Sequence, residues 1–339
     1  MADVANLAGV SVPTVSRVLS GSVPVSDEKR RRVETAVEAL SFRPSAAARV
    51  LASRRPEVVA IITGDTSRYG YAHTIRGVEV AARSAGYTVM ITVVESADPA
   101  DVDAALEATL SQPIAGVVVL AFDPQGVAAL HRIPGDIRAV ALSGLREPGR
   151  AQAMIDETRA AHELVTHLLQ LGHRTVHHVR IPPSRREDGR TTGWRRALRS
   201  AGVEVPRLWD ADWNPDTGRR IGHQLATDPE ITAVFCGNDE IAMGVIRGLQ
   251  DRELRVPEDV SVVGFDDHPL ARLWTPALTT VRQDFFDLGG RGFDLLVERI
   301  EGGPARLSSQ RPALVVRESA GPPAPAGTSP TRNAVTALS

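Results

Sequence analysis

Asp3–Gly21 reads DVANLAGVSVPTVSRVLSG, two short apolar-periodic runs on either side of a Gly-Val-Ser. Val4, Ala5 and Ala8 share one helical face, Val12, Val15, Val18 and Leu19 the next, and Val33, Val37 and Leu40 a third, because side chains three and four apart lie on one side of an α-helix. The spacing predicts three short helices between Ala2 and about Leu40. Ser11 stands where an N-cap opens the second helix, and Pro13 is tolerated in its first turn. Ser26 opens the third, followed by Asp27 and Glu28 where the helix dipole favours negative charge. Gly9 permits the sharp turn between the first two. Two helices joined in this way, with a third in a basic segment, form a helix-turn-helix, whose second helix enters the major groove of DNA.

Charge supports that reading locally. The whole chain of 339 residues carries a net −2, but Met1–Arg55 holds nine Arg and Lys against five Asp and Glu, so the basic charge gathers at one end. With 42% hydrophobic and 24% charged residues the chain can bury a large core, and its length predicts two or three domains. A single cysteine, Cys236, excludes a disulfide framework, and no apolar run reaches the length of a membrane span. No apolar signal region precedes the first helix, so the cytoplasm is the expected compartment.

Phe42–Pro56, FRPSAAARVLASRRP, is an Ala-rich stretch bracketed by prolines, a linker able to form one or two helical turns. From Val58 the pattern changes. The apolar runs VVAIIT, YTVMITVV, AGVVVLAF, RAVAL, TVHHVRI, TAVFCG, VSVVGF and ALVVR alternate with helical segments such as Thr74–Ser84, Arg159–Leu171 and Ile241–Arg252. Strands that alternate with helices form βαβ units and parallel sheets, and the length of this region predicts two doubly wound sheets. The segment from Ser319 is rich in Pro, Ala, Gly and Ser and is expected to be disordered.

Taken together, DVANLAGVSVPTVSRVLSG, RPSAAARVLAS and the sheet-rich body resemble the lactose-repressor/galactose-repressor family of transcriptional regulators. Within the body, RGVEVAARSAGY, LLQLGHRTV, GWRRAL, AVFCGNDEIAMGVIRGL, VPEDVSVVGFDDHPLA and TTVRQD match in the family's order. The resemblance implies an α/β chain: a helix-turn-helix three-helix module over 1–43, a hinge helix over 44–55, and a periplasmic-binding-protein-like body over 56–318. The body would comprise two doubly wound parallel-sheet lobes, lobe 1 over about 56–155 plus 285–318 and lobe 2 over about 156–284, with 319–339 as the disordered tail.

It also implies roles for particular residues. Val12, Pro13 and Arg17 fall where the family's recognition helix faces base edges, and Thr14, Ser16 and Ser26 where hydroxyls meet phosphates. The fork of Arg17 suits the O6 and N7 acceptors of guanine, whereas Val12 and Pro13 offer no donor and must read apolar groups or shape. Ser20 stands where the family commonly has Asn. Leu51 falls where a leucine wedges into the minor groove at the operator centre. The implied partners are a near-palindromic double-stranded operator, a second copy of the chain as a homodimer, and a small-molecule effector, a sugar. For that effector the matched residues follow strand ends, where doubly wound sheets bind ligands: Tyr71, Arg190, Trp213, Asn238 and Asp266. Arg190, Asn238 and Asp266 could fork onto adjacent hydroxyls, and Trp213 or Tyr71 could cover the apolar face of a sugar ring.

Catalytic and metal readings find little support. There is no G-x-S-x-G elbow, P-loop or H-E-x-x-H, the nine histidines lack metal-ligand spacing, and Cys236 lies in an apolar strand. No cofactor or metal is expected. A transport-type sugar-binding protein remains an alternative on the body alone, opposed by the missing signal segment and the basic N-terminal module, and an α/β enzyme remains a third.

Overall fold

A computed structural model describes residues 1–20, 24–42 and 56–324; the hinge segment 44–55 with Leu51 therefore lies outside the described residues. The first residues form α1 (Ala2–Ala8), α2 (Val12–Ser20) and α3 (Asp27–Ala39). Val4, Ala5, Ala8, Val15, Val18, Val33 and Ala36 close a core between them, the faces that the 3.6-residue period marks. Gly9 ends α1 at φ 61°, a left-handed conformation that glycine adopts without steric cost. Arg32 Nη2 donates to the Gly9 carbonyl at 3.2 Å, fastening the turn to α3. Ser26 occupies the N-cap of α3 without a side-chain cap hydrogen bond.

Lobe 1 alternates β1 (Val58–Thr63), α4 (Tyr69–Ser84), β2 (Thr88–Val93), α5 (Pro99–Leu110), β3 (Ile114–Leu120), α6 (Pro124–Arg132), β4 (Ala139–Ser143) and β5 (Ala151–Ile155). The chain then builds lobe 2 from α7 (Glu157–Gln170), β6 (His177–Arg180), α8 (Gly189–Ser200), β7 (Leu208–Asp210), α9 (Pro215–Leu225), β8 (Ala233–Cys236), α10 (Asp239–Gln250) and β9 (Ser261–Val263). After β10 (Thr280–Arg282) it returns to lobe 1 as α11 (Phe285–Ile300) and β11 (Leu307–Gln310), and crosses a third time to β12 (Ala313–Val315). Lobe 1 is a parallel sheet in the order β11-β5-β4-β3-β1-β2, lobe 2 a parallel sheet in the order β7-β6-β8-β9, and β10 pairs antiparallel with β12. Helices cover both faces of the lobe 1 sheet, so its inner strands are buried beyond their first one or two residues and read as continuous apolar runs. The α/β class and the two doubly wound parallel lobes of the sequence reading are thus the observed architecture.

Two boundaries differ from expectation. The segment 313–318 was expected in lobe 1, yet β12 pairs with β10 beside the lobe 2 core, where Leu314 packs. Ser319, where the disordered tail was expected to begin, is fully buried. Its Oγ accepts from Thr279 N at 2.8 Å and donates to Val262 O at 2.6 Å, and Gly321 O accepts from Ser261 Oγ at 3.0 Å. These residues continue along the edge of β9, an arrangement that Pro- and Gly-rich composition does not reveal. β5, β7, β10 and β11 were also absent from the expected strands, and α4 begins at Tyr69 rather than Thr74.

Candidate functional site

On α2, Val15 and Val18 point into the small core and leave the opposite face outward. Val12 is 42% exposed, Pro13 and Arg17 are exposed, and Thr14 and Ser16 are half-buried. The apolar residues thus fix the helix and turn the base-facing candidates out. Ser11 Oγ and Thr14 Oγ1 lie 2.9 Å apart in the first turn. Ser26 is exposed at the start of α3, whose first turns carry Lys29, Arg30 and Arg31.

The second site lies between the lobes, where the carboxyl ends of both parallel sheets face each other. It holds about 780 Å³ of space free of protein atoms, its open mouth included, and Tyr71, Arg190, Trp213, Asn238 and Asp266 all line it. Lobe 1 supplies an aromatic wall: Tyr71 meets Phe122 edge-on at 5.3 Å between ring centres, and Phe122 meets Phe285 at 6.5 Å. Lobe 2 supplies the polar wall. Arg190 is held at the start of α8, which Asp188 caps by accepting from Thr191 N at 2.7 Å. Its Nε and Nη2 donate to Glu157 Oε1 at 3.2 and 2.8 Å, Nη1 donates to Gly237 O, and Nη2 stands 3.4 Å from Asp266 Oδ1. The guanidinium face rests 4.6 Å over Phe265.

These partners change what several residues can offer a ligand. The oxygen of Asn238 accepts from Ile241 N at 2.9 Å as the cap of α10, leaving its amide nitrogen, 3.4 Å from Glu240 Oε2, toward the cleft. The Tyr71 hydroxyl donates to Asp123 Oδ2 at 2.6 Å, and burial followed by that carboxylate raises its pKa. Its role is therefore that of a wall. Across the cleft the Arg68 guanidinium of lobe 1 stacks 4.2 Å over the Trp213 ring of lobe 2, on the platform expected for a sugar. A ring seated on that face displaces Arg68 or approaches the other face.

Glu157, Gln283, Asp188, Glu240 and Arg68 also line the cleft and were not singled out from sequence. Glu157 follows β5, itself unrecognised, and Gln283 lies in TTVRQD, quoted as a motif but given no role. Gln283 Nε2 donates to Asp266 Oδ1 at 2.6 Å. Asp266 has φ 114°, a conformation that costs a non-glycine residue of order 1–3 kcal/mol. Asp267 turns away instead, pairing with Arg282 and Arg317 at 2.6 Å each.

Burial raises the Asp266 carboxyl to about 6 although Arg190 and Gln283 favour its anion. His178, stacked on Phe235 and bonded to Phe235 O and Thr191 Oγ1, is lowered to about 4 by burial. The two oppose each other. A carboxyl raised on folding contributes stability below its unfolded value that is lost as pH rises through 6, whereas a histidine lowered on folding contributes stability above its unfolded value that is lost as pH falls through 4. Asp266→Asn removes the first effect. The variant is expected to be about 1–2 kcal/mol more stable than the parent at pH 7.5, with the gap closing toward pH 4. Urea unfolding at the two pH values checks this, and a variant less stable at pH 7.5 contradicts it.

Among the described residues no group of three or more His, Cys, Asp and Glu is placed to hold a metal, and no helix is long and apolar enough to cross a membrane. Cys236 is buried, which pushes its thiol pKa well up.

Comparison with known proteins bears on the family and the fold. Residues 1–45 match the bacterial regulatory proteins of the lacI family, and residues 165–320 match a periplasmic binding protein-like domain. The chain is 31% identical over 304 residues to the catabolite control protein A of Priestia megaterium, covering 87% of this chain and 91% of that protein. It is 32% identical over 335 residues to the ribose operon repressor of Escherichia coli, covering 94% and 99%. The lac repressor dimer bound to operator and the anti-inducer ONPF superimposes with a TM-score of 0.85 at 26% identity, covering 94% of this chain and 97% of that one. The transcriptional regulator CelR in complex with cellobiose superimposes with a TM-score of 0.68 at 28% identity, covering 94% and 98%.

Proposed function

The chain belongs to the lacI family of bacterial regulatory proteins, and on that premise we propose that it is a dimeric transcriptional repressor whose operator affinity is set by a sugar held between its two lobes. The observation that carries this reading is the presence in one chain of an outward-facing α2 over a closed three-helix core and of an interlobe cleft with one aromatic and one charged wall. The first is the geometry of a groove-reading helix. The second suits a ring with hydroxyls on its rim and an apolar face.

Base edges fall to Val12, Pro13 and Arg17, phosphates to Thr14, Ser16 and Ser26, and the minor-groove wedge to Leu51. In the cleft, Arg190, Asp266 and the Asn238 amide address hydroxyls, while Tyr71 and Trp213 contribute apolar surface. The work of such a protein is binding rather than catalysis, and its place is the cytoplasm with the DNA. A transport-type sugar-binding protein has no use for the N-terminal module.

Selection from random duplex DNA tests the DNA-binding half. One recognition helix spans one half-site, so the enriched sequence is expected to be a near-palindrome with half-sites about 10 base pairs apart or a multiple of that. Enrichment of a lone half-site at full affinity, or of no sequence at all, contradicts the reading.

A further inference from the structure

The cleft carries more carboxylates than cations. Glu157, Asp188, Glu240 and Asp266 line it against two cations, Arg68 and Arg190, and both cations are engaged. Arg190 gives its edge to Glu157, Asp266 and the Gly237 carbonyl and its face to Phe265. Arg68 stacks on Trp213 and lies 3.4 Å from Asp65. Two hydroxyls of the lining are also committed as donors, Tyr71 to Asp123 and Ser143 to Leu145 O. In contrast, Gln283 is 4% exposed and lines the cleft with its amide nitrogen fixed on Asp266, and its Oε1 is buried with no hydrogen-bond partner. A buried acceptor left unmet is costly, and a donor on a ligand meets it.

Resting on the reading of this cleft as the effector site, we propose that it selects a donor-rich ligand without negative charge, a neutral or amino-substituted sugar, and rejects phosphorylated and carboxylated sugars. A phosphate needs donors and positive potential. Here either cation would have to leave a carboxylate or a ring, leaving neutral donors such as the Tyr69 and Ser184 hydroxyls, and the oxygens of the anion would face Glu157, Asp188, Glu240 and Asp266. Hydroxyls and ammonium groups instead donate to those oxygens and to Gln283 Oε1. Like-charge juxtaposition in a partly closed site is the usual means of rejecting a wrong ligand.

The test is calorimetry on the intact chain with matched sets of hexoses, pentoses and their disaccharides, each presented as the neutral sugar, the amino sugar, the phosphate ester and the uronate. The members that bind are expected to be neutral or amino sugars, each at least about tenfold tighter than its anionic counterparts. Glu240→Gln, a half-buried position in the first turn of α10, is expected to narrow that gap about fivefold. A phosphate or uronate that binds more tightly than its neutral parent overturns the proposal, as does a complete set in which no neutral or amino sugar binds. Neither result touches the regulator reading, which stands or falls on operator selection performed without any sugar.

Discussion

Arg190→Ala is expected to cost about 3–5 kcal/mol of unfolding free energy and to leave a protein whose operator affinity no longer responds to the cleft. Arg190 is enclosed by Glu157, Asp266, the Gly237 carbonyl and the Phe265 ring, with its side chain 10% exposed. Truncation leaves two carboxylates buried near each other without the cation that offsets their repulsion. One of them must then take up a proton or be hydrated, so the deficit shrinks below pH 6, where Asp266 already holds a proton. The substitution is therefore a lesion in the packing of lobe 2 as well as in the proposed ligand site, and the sequence reading of Arg190 as a ligand fork left this structural role out. Urea unfolding at pH 7.5 and pH 5 measures the loss and its pH dependence. A variant as stable as the parent at both values shows that the cluster has been misread.

Arg17→Ala is expected to weaken operator binding by about 1–3 kcal/mol while leaving random-sequence DNA nearly unaffected. Val15 and Val18 anchor α2 from beneath, so truncating a side chain on the opposite face does not disturb the three-helix core. A bidentate contact to guanine exists only on the right sequence, which is why the loss is selective. Equal losses on both DNAs would make Arg17 a phosphate contact, and such a variant would also show a shallower salt dependence.

The parts legible in the sequence share a physical reason. Strands buried on both faces, such as VVAIIT and AGVVVLAF, are continuous apolar runs, and the α1–α3 core follows a 3.6-residue period; both leave patterns that need no tertiary knowledge. β5 left none, because its strand AQAMI carries Gln152 in a buried position. There the amide holds Ser143 Oγ at 2.6 Å and the Glu147 backbone N–H at 2.8 Å, and a polar residue that is satisfied only by a neighbouring loop looks like a loop residue. The cleft divides in the same way. Arg190 and Asp266 were visible as residue types after strands, but the pairing of Arg190 with both Asp266 and Glu157, the stacking of Arg68 on Trp213 and the orphan oxygen of Gln283 arise where separate segments meet, and no local pattern encodes them. Ser319 is the clearest case: a serine in a Pro- and Gly-rich segment whose hydroxyl completes the edge of β9.

The coupling between the two sites is tested most directly by titrating the selected operator with intact protein at fixed salt, without and with a saturating cleft ligand, in parent and Arg190→Ala proteins. The parent's Kd for the operator is expected to change at least about fivefold when the cleft is filled, and that of the variant to stay constant. A parent whose operator Kd is the same with the cleft empty and filled would contradict the account.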